Sequence, residues 1–438
     1  MTELALRGAT YTLVTDPFLN SASDCAVYEP DGCILIRDGL ISEIGAYAAL
    51  REKLPADIKL RHYPGAILMP GFVDAHIHYP QVEIIGSYGA QLLEWLNKYT
   101  FPAEARFVDG DHARRIADFF IAELQRNGTT SASVFCSSAP ASVDAIFEAA
   151  RRSNMLLLAG KIMMDSHAPA NLVDTAQSSY DDSKALIKRW HKRGRCLYTV
   201  TPRFALTSSP AQLELAGALM REYSDLRLQS HISENRAEVA RAAELYPQRA
   251  HYTDIYEHYG LLDERAIYGH GIHLSEDELR RFHETGANIA HCPTSNFFIG
   301  SGLFDIAKTK KAARPVTVGL GSDVGGGTSF SMLQTMSEAY KMAQLRGISL
   351  TATQSYYLAT LGSAESLGLA DKVGSLQTGY AADMIVLDPR ATPLLELRAD
   401  IAESLDELLF ALMICGDDRA IAATYVAGDL VYERDVSN

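Results

Sequence analysis

The chain has 438 residues, 47% of them hydrophobic and 21% charged, with a formal net charge of −14. That length and apolar content suffice for one large buried core plus a smaller unit, and they exclude a disordered polymer. The acidic balance argues against nucleic-acid backbones and anionic membranes as partners and leaves a small neutral ligand open.

The elements begin with a β-rich N-terminal part. ATYTLVT (9–15) and GCILIRDGLISEIG (32–45) are short alternating runs, and Asp38-Gly39 between apolar residues signals a hairpin. The first residues, M-T-E-L-A-L-R-G, show no basic region followed by an apolar core, so no secretory signal is expected.

From residue 66 the pattern becomes regular. Eight β-rich runs follow one another: AILMPGFVDAHIH (66–78), TTSASVF (129–135), NMLLLAGKIM (154–163), LYTVTPRF (197–204), LRLQSHISE (226–234), AIYGH (266–270), ANIAHCPTS (287–295) and PVTVGLGSD (315–323). Longer amphipathic segments lie between them. DHARRIADFFIAELQRNG (111–128) ends on Asn127-Gly128, a helix stop, and SPAQLELAGALMREY (209–223) opens on a Ser-Pro helix start. The C-terminal ADMIVLDP (382–389) and IAATYVAGDLVYE (421–433) again read as strands around a turn.

Alternating strands and helices predict an α/β fold, a (β/α)8 TIM-like barrel, with an open doubly wound sheet as the alternative. The two β-rich ends are expected to pair into a small β-sandwich. The expected division is residues 1–65 plus 377–438 for the composite domain and 66–376 for the barrel. The six cysteines, at 25, 33, 136, 196, 292 and 415, include no C-x-x-C pair and read as free thiols of a reducing compartment. No apolar run approaches the roughly 20 residues of a membrane helix, so a soluble cytoplasmic protein is expected.

In a strand, residues i and i+2 share a face, so His76 and His78 can serve one site only if their segment is extended. A bare H-x-H is more commonly two polar residues leaving a strand. Three other strand ends add His231, His270 and Asp323. A barrel aims all of them at one cavity at its C-terminal face. Singly, each histidine could be a hydrogen-bonded core residue and Asp323 a helix N-cap. Together they form a candidate site for one divalent metal with nitrogen and oxygen ligands, zinc or iron. Such an ion lowers the pKa of bound water from about 16 to roughly 7. Asp323 is then placed to take the water's proton. Glu234, three residues past His231, can turn over the cavity as a general acid/base, or can simply be a helix-start carboxylate.

Arg203 is a forked cation suited to a carbonyl oxygen, Phe204 can stack on a planar ring, and Gln81 can read an amide-like edge. Their alternatives are a surface arginine and a core phenylalanine. GLGSDVGGG (319–327) fits neither dinucleotide nor Walker loops and reads as tight backbone near Asp323. His273, His283 and His291 read as structural, and Cys292 as a small core residue.

With these positions in hand, the chain resembles the amidohydrolase superfamily and, more closely, its guanine deaminase family. The likeness rests on PGFVDAHIHYPQ (70–81), LLEWLNKYTFPAEARF (92–107), TVTPRFALTSSP (199–210), SHISEN (230–235), HCPTSNFFIGSGLF (291–304) and GLGSDVGGGTSFSMLQTMSEAYK (319–341). The first H-x-H is common to the superfamily, whereas HYPQ, LLEWLNKYTFPAE and TPRF are more specific. The resemblance implies hydrolytic deamination of guanine to xanthine and ammonia, with one Zn2+ per subunit and iron as the alternative ion. It implies His76, His78, His231, His270 and Asp323 at the metal, with His270 on the ion or on its water. Glu234, Asp323 and His270 are implied in catalysis. His78, Gln81, Arg203, Phe204, His231, Glu234 and Asp323 are implied around the purine. A water activated by the metal would attack C2 while Glu234 protonates the adjacent ring nitrogen. Binuclear relatives carry a bridging lysine where Thr-Pro-Arg-Phe stands here, which implies one metal. The segment 79–107, with Trp95, Tyr99 and Phe101, is expected to roof the pocket or meet a second subunit of a homodimer.

Two other readings compete. One is a deaminase or dechlorinase of another amino-substituted heterocycle, such as 8-oxoguanine, a pyrimidine or a triazine. The other is a non-catalytic scaffold of this fold, whose mark would be lost metal ligands.

Overall fold

The computed structural model describes residues 3–88 and 91–435. Four strands come first: β1 (Glu3–Leu13), β2 (Ala26–Arg37), β3 (Leu40–Ala46) and β4 (Lys59–Pro70). The middle of the chain carries β5 (Phe72–His78), β6 (Thr129–Phe135), β7 (Leu156–Gly160), the short β8 (Ile162–Met163), β9 (Cys196–Pro202), β10 (Arg227–Ile232), β11 (Ala266–His270), β12 (Asn288–His291) and β13 (Val318–Leu320). The last three are β14 (Met384–Leu387), β15 (Ile421–Val426) and β16 (Asp429–Glu433).

Eight parallel staves follow the order β5-β6-β7-β9-β10-β11-β12-β13, with β8 paired to β9. The last stave returns to the first where the Asp323 N–H donates to the His76 carbonyl at 2.9 Å. β5 and β6 are buried along their whole length, as staves lined inside by core and outside by helices must be. Their apolar runs therefore carry no alternation. The outer helices start where their caps dictate. The Asp109 side chain accepts from the amides of Asp111 and His112 ahead of Gly110–Arg126, and Ser209 accepts from Gln212 ahead of Pro210–Glu222. The first of these helices stops at Asn127-Gly128, with Gly128 at φ +78°.

The chain ends meet in one seven-stranded sheet, ordered β16-β15-β14-β4-β1-β2-β3. The Asp38-Gly39 turn has φ of +50° and +82°, the paired positive values that join two right-twisted antiparallel strands. Side-chain alternation splits this sheet between two cores. Leu68, Met384 and Val386 pack with Leu6, Ile34 and Ile36, while Ile67, Met69 and Ile385 join the main core of the barrel.

The apolar run 66–78 is two strands in two sheets, not one. β4 pairs with β14 as far as Pro70, so the small sheet carries five residues past the expected boundary at 65. The break falls at Gly71, whose N–H donates to the Asp383 carbonyl at 3.0 Å. A Cβ there would sit 2.2 Å from Thr130 Oγ1, so only glycine passes. The two units are clamped beside this break. Arg195, at the foot of β9, donates to both oxygens of the buried Asp383 at 2.9 and 2.5 Å. Among the described residues, no helix is long and apolar enough to cross a membrane.

Candidate active site

The C-terminal ends of the staves deliver the expected side chains to one buried point. His78 Nε2 lies 3.2 Å from His231 Nε2, and Asp323 Oδ1 lies 3.4 Å from both His76 Nε2 and His78 Nε2. The three imidazoles bring ring nitrogens within 4.8 Å of one another. Ligands held about 2.0–2.1 Å from a tetrahedral ion stand about 3.3–3.4 Å apart, which is the spacing seen here. His76 Nε2 is buried without any hydrogen-bond partner, and the His231 ring is oriented from behind by Nδ1–H donating to the Arg203 carbonyl at 2.7 Å. Nitrogens facing one another without protein partners are costly unless a cation draws them in. The donor set fits one divalent ion.

The backbone is shaped for this crowding. A Cβ at position 269 would lie 2.6 Å from His76 Cε1, and one at 321 would lie 2.8 Å from His76 Cβ, so two glycines bracket that ring. Ser233, His270 and Asp323 take φ of +49°, +72° and +51°, values that cost energy in non-glycine residues and gather at functional sites. Asp74 sits beneath the ring. It accepts from the His76 amide at 3.1 Å and from the Ser322 amide and hydroxyl at 3.1 and 2.5 Å, tying β5 to the loop after β13. Burial pushes its carboxyl up to about 7.

A second cluster of titratable groups adjoins the first. His270 Nε2 lies 3.4 Å from Glu234 Oε2 and 3.7 Å from Asp323 Oδ2, and its Nδ1 pairs with Asn296 Oδ1 at 2.9 Å. Burial alone would hold the His270 imidazole neutral, but the Glu234 and Asp323 carboxylates outweigh it and raise its pKa. Burial raises Glu234 to about 7, with the His270 charge opposing and Glu238 and Asp323 adding to the rise. Asp323 is buried too, yet the imidazoles gathered around it, His76 first, then His270 and His231, hold its carboxyl at about 2. Burial depresses His76, and depresses His78 and His231 well below the ordinary range, so these three are neutral ligand-type imidazoles. Two carboxylates driven apart in acidity are the usual sign of an acid and a base sharing one site.

Gln81, Arg203 and Phe204 line the same cavity, with His78, His231, Glu234, His270 and Asp323. The stretch 92–100 closes it from above through Leu92, Trp95, Leu96 and Thr100. Trp95 is packed there against Tyr99 and Phe298, and Leu96–Thr100 forms a wide π-type turn of the kind that recurs at functional sites. Residues 89 and 90 of the expected roof lie outside the described residues. Arg203 is not a free cation: its Nη1 donates to both oxygens of Glu104, at 2.8 and 2.6 Å.

Glu104, Asn296 and Ser301 are the residues that sequence reasoning missed. Ser301 donates to Glu234 Oε1 at 3.0 Å. All three sit in quoted motif stretches but not at strand ends; a carboxylate embedded in Y-T-F-P-A-E-A was the available signal. The remaining expectations hold their places. His273 Nε2 pairs with the Ser301 carbonyl at 2.9 Å, His283 Nδ1 pairs with the Pro315 carbonyl at 2.8 Å, and His291 stacks on Phe304. Cys292 is buried, with its thiol pushed well up chiefly by burial, although its sulfur also groups with His76, His270 and Asp323.

A model of the Amidohydrolase family matches residues 67–431. Guanine deaminase of Escherichia coli K12 is 51% identical over 405 residues, 92% of each chain. Human guanine deaminase is 35% identical over 405 residues, 88% of each chain. The solved E. coli guanine deaminase superimposes with a TM-score of 0.96 at 49% identity, covering 99% of this chain and 100% of that one. The C. acetobutylicum guanine deaminase, solved with guanine in its active site, gives 0.88 at 28% identity, covering 98% and 100%. Likeness of this extent, in sequence and in backbone, places the chain in the amidohydrolase family, among its guanine deaminases.

Proposed function

We propose that the chain hydrolyses guanine to xanthine and ammonia with one zinc ion per subunit, held by His76, His78, His231 and Asp323. The observation that carries this is the convergence of those four donors at 3.2–3.4 Å beneath a proton-handling pair, Glu234 and His270. The relatives named above carry the substrate assignment. The same likeness leads us to infer a cytoplasmic homodimer acting in purine breakdown, with the composite domain and barrel as its two units.

When bound, a divalent ion at this group supplies acidification of a coordinated water to a pKa of about 7. Asp323, ionised, accepts the proton that this water gives up. Glu234 delivers a proton to the ring nitrogen beside C2, where charge builds as water adds. His270, between the two carboxylates, holds both toward the water and is the residue through which their proton is shared. The proton held by Asp323 then passes to the 2-amino group, which leaves C2 as ammonia, and the proton of the new C2 hydroxyl returns to Glu234 as the C2 carbonyl forms, so one guanine and one water give one xanthine and one ammonia. Phe204 stacks on the purine, Gln81 and Arg203 fix its edge, and Leu92, Trp95 and Leu96 exclude bulk water.

Ultraviolet monitoring of guanine conversion by metal-analysed protein is the direct test, run beside 8-oxoguanine, adenosine, cytosine and a triazine. Turnover of another ring with no ammonia from guanine would overturn the substrate assignment. Treatment with 1,10-phenanthroline should abolish turnover and added zinc should restore it; undiminished turnover by protein shown to be metal-free would remove the ion from the reaction.

Gly269→Ala tests the ligand geometry without touching a ligand. Its methyl group drives into the His76 ring, and a misplacement near 1 Å costs on the order of 10²-fold in rate. Metal content should fall with it while the circular dichroism spectrum stays that of the parent. Full metal occupancy and parental turnover would show that the ring has room to move.

A further inference from the structure

Glu104 stands behind the pocket wall. Its side chain is fully buried and absent from the cavity lining, whereas Gln81 and Arg203 both reach the cavity. Its carboxylate accepts from Arg203 Nη1 at 2.8 and 2.6 Å and from Gln81 Nε2 at 3.1 Å. A carboxylate paired to a guanidinium only accepts, so the end of the Gln81 amide that faces it must be the NH2. Gln81 Oε1 is thereby turned away from Glu104. Among the described residues, no protein donor bonds to Oε1 and no protein acceptor takes Arg203 Nε or Nη2. Gly325, at φ +119°, packs its backbone against this amide; a Cβ there would lie 2.4 Å from Oε1. The wall thus shows the cavity one acceptor beside unspent guanidinium donors.

We propose that Glu104 is a positioning residue that sets this polarity, and that the polarity selects the lactam edge of guanine, N1–H beside C6=O. The inference rests on guanine being the substrate. Arg203 donates to O6, Gln81 Oε1 accepts from N1–H, and C2 with N3 is left free to face the water and Glu234. A ring lacking that edge leaves a buried acceptor and buried guanidinium N–H donors without partners, which is the strongest way for a site to reject an analogue.

Glu104→Gln is the test. The new side chain has the same shape but can donate as well as accept, so Gln81 can present either end. The readout is the kcat/KM of guanine divided by that of 2-aminopurine, which keeps the 2-amino group and lacks both N1–H and the 6-oxo oxygen. Comparing this ratio between enzymes cancels intrinsic ring reactivity and metal occupancy, which a merely structural defect would affect for both substrates alike. The ratio should fall at least about 10-fold in E104Q. In the exchange variant Gln81→Glu/Glu104→Gln, position 81 is again an acceptor beside a charge-paired Arg203, and the ratio should return to within about threefold of the parent. An E104Q ratio within twofold of the parent, or an exchange variant that leaves it low, overturns the inference. Should E104Q not fold, the exchange variant alone is read by the same criterion. Failure of the parent enzyme to release ammonia from guanine would instead overturn the substrate assignment.

Discussion

Glu234→Gln should bind metal as the parent does and lose about 10²–10⁴ in the rate of guanine deamination. The substitution keeps the side chain's volume in a buried position and keeps an oxygen for the Ser301 hydroxyl, which donates to Glu234 Oε1 at 3.0 Å. It removes only the exchangeable proton. The carboxyl is held at about 7, chiefly by burial, so at neutral pH a large share of molecules carry that proton ready to give. An amide has none to give. His270 cannot take over, because its Nε2 faces Glu234 and Asp323 together and its Nδ1 is committed to Asn296. Elemental analysis should show unchanged metal, since the close donor group does not include Glu234. Turnover near that of the parent would remove Glu234 from the chemistry; equal loss of metal and rate would make it a structural residue.

Asp383→Ala should destabilise the folded chain by about 3 kcal/mol, the lower end of the cost of breaking a buried pair. Asp383 is almost wholly enclosed, and Arg195 is 18% exposed at its side chain, so solvent can rescue only part of the orphaned guanidinium. The loss reaches further than one ion pair. Asp383 Oδ1 also accepts from the Ala427 amide at 2.7 Å, in the turn between β15 and β16, a bond that alanine loses as well, while the backbone carbonyl that receives Gly71 N–H is kept. One residue therefore holds together the foot of the barrel, the break between sheets and the last hairpin. Urea denaturation should register the loss. Adding Arg195→Met, which removes the unpaired charge, should recover a good part of it, because what costs most is a buried cation without a partner. A single variant as stable as the parent would show the clamp to be idle.

Most of the fold was legible because barrel staves are short apolar runs that end abruptly in polar residues. TTSASVF and AIYGH coincide with β6 and β11 to the residue. His76, His78, His231, His270 and Asp323 were found by one rule, that chemistry collects at the ends of staves. Glu104, Asn296 and Ser301 escaped because they lie beyond the stave ends, the first two on short helices and Ser301 in a loop. Their distance from the site depends on how those segments pack, which no local period encodes. Arg203 lines the cavity, yet its partner lies 99 positions away, in a segment read only as a roof. The switch at Gly71 was hidden for another reason. The residues on both sides are equally apolar, and what separates them is the close approach of Thr130, a contact between distant parts of the chain.

The bond from the Asp323 amide to the His76 carbonyl joins positions 247 apart, and the same two residues present side chains at the centre of the site. Sealing the cylinder and assembling its ligands are thus a single event. A refolding molecule has no competent centre until its final stave has docked, however much helix and sheet it has already gained. Catalysis should therefore reappear last, after bulk ellipticity, and at a pace governed by that one distant meeting of chain segments.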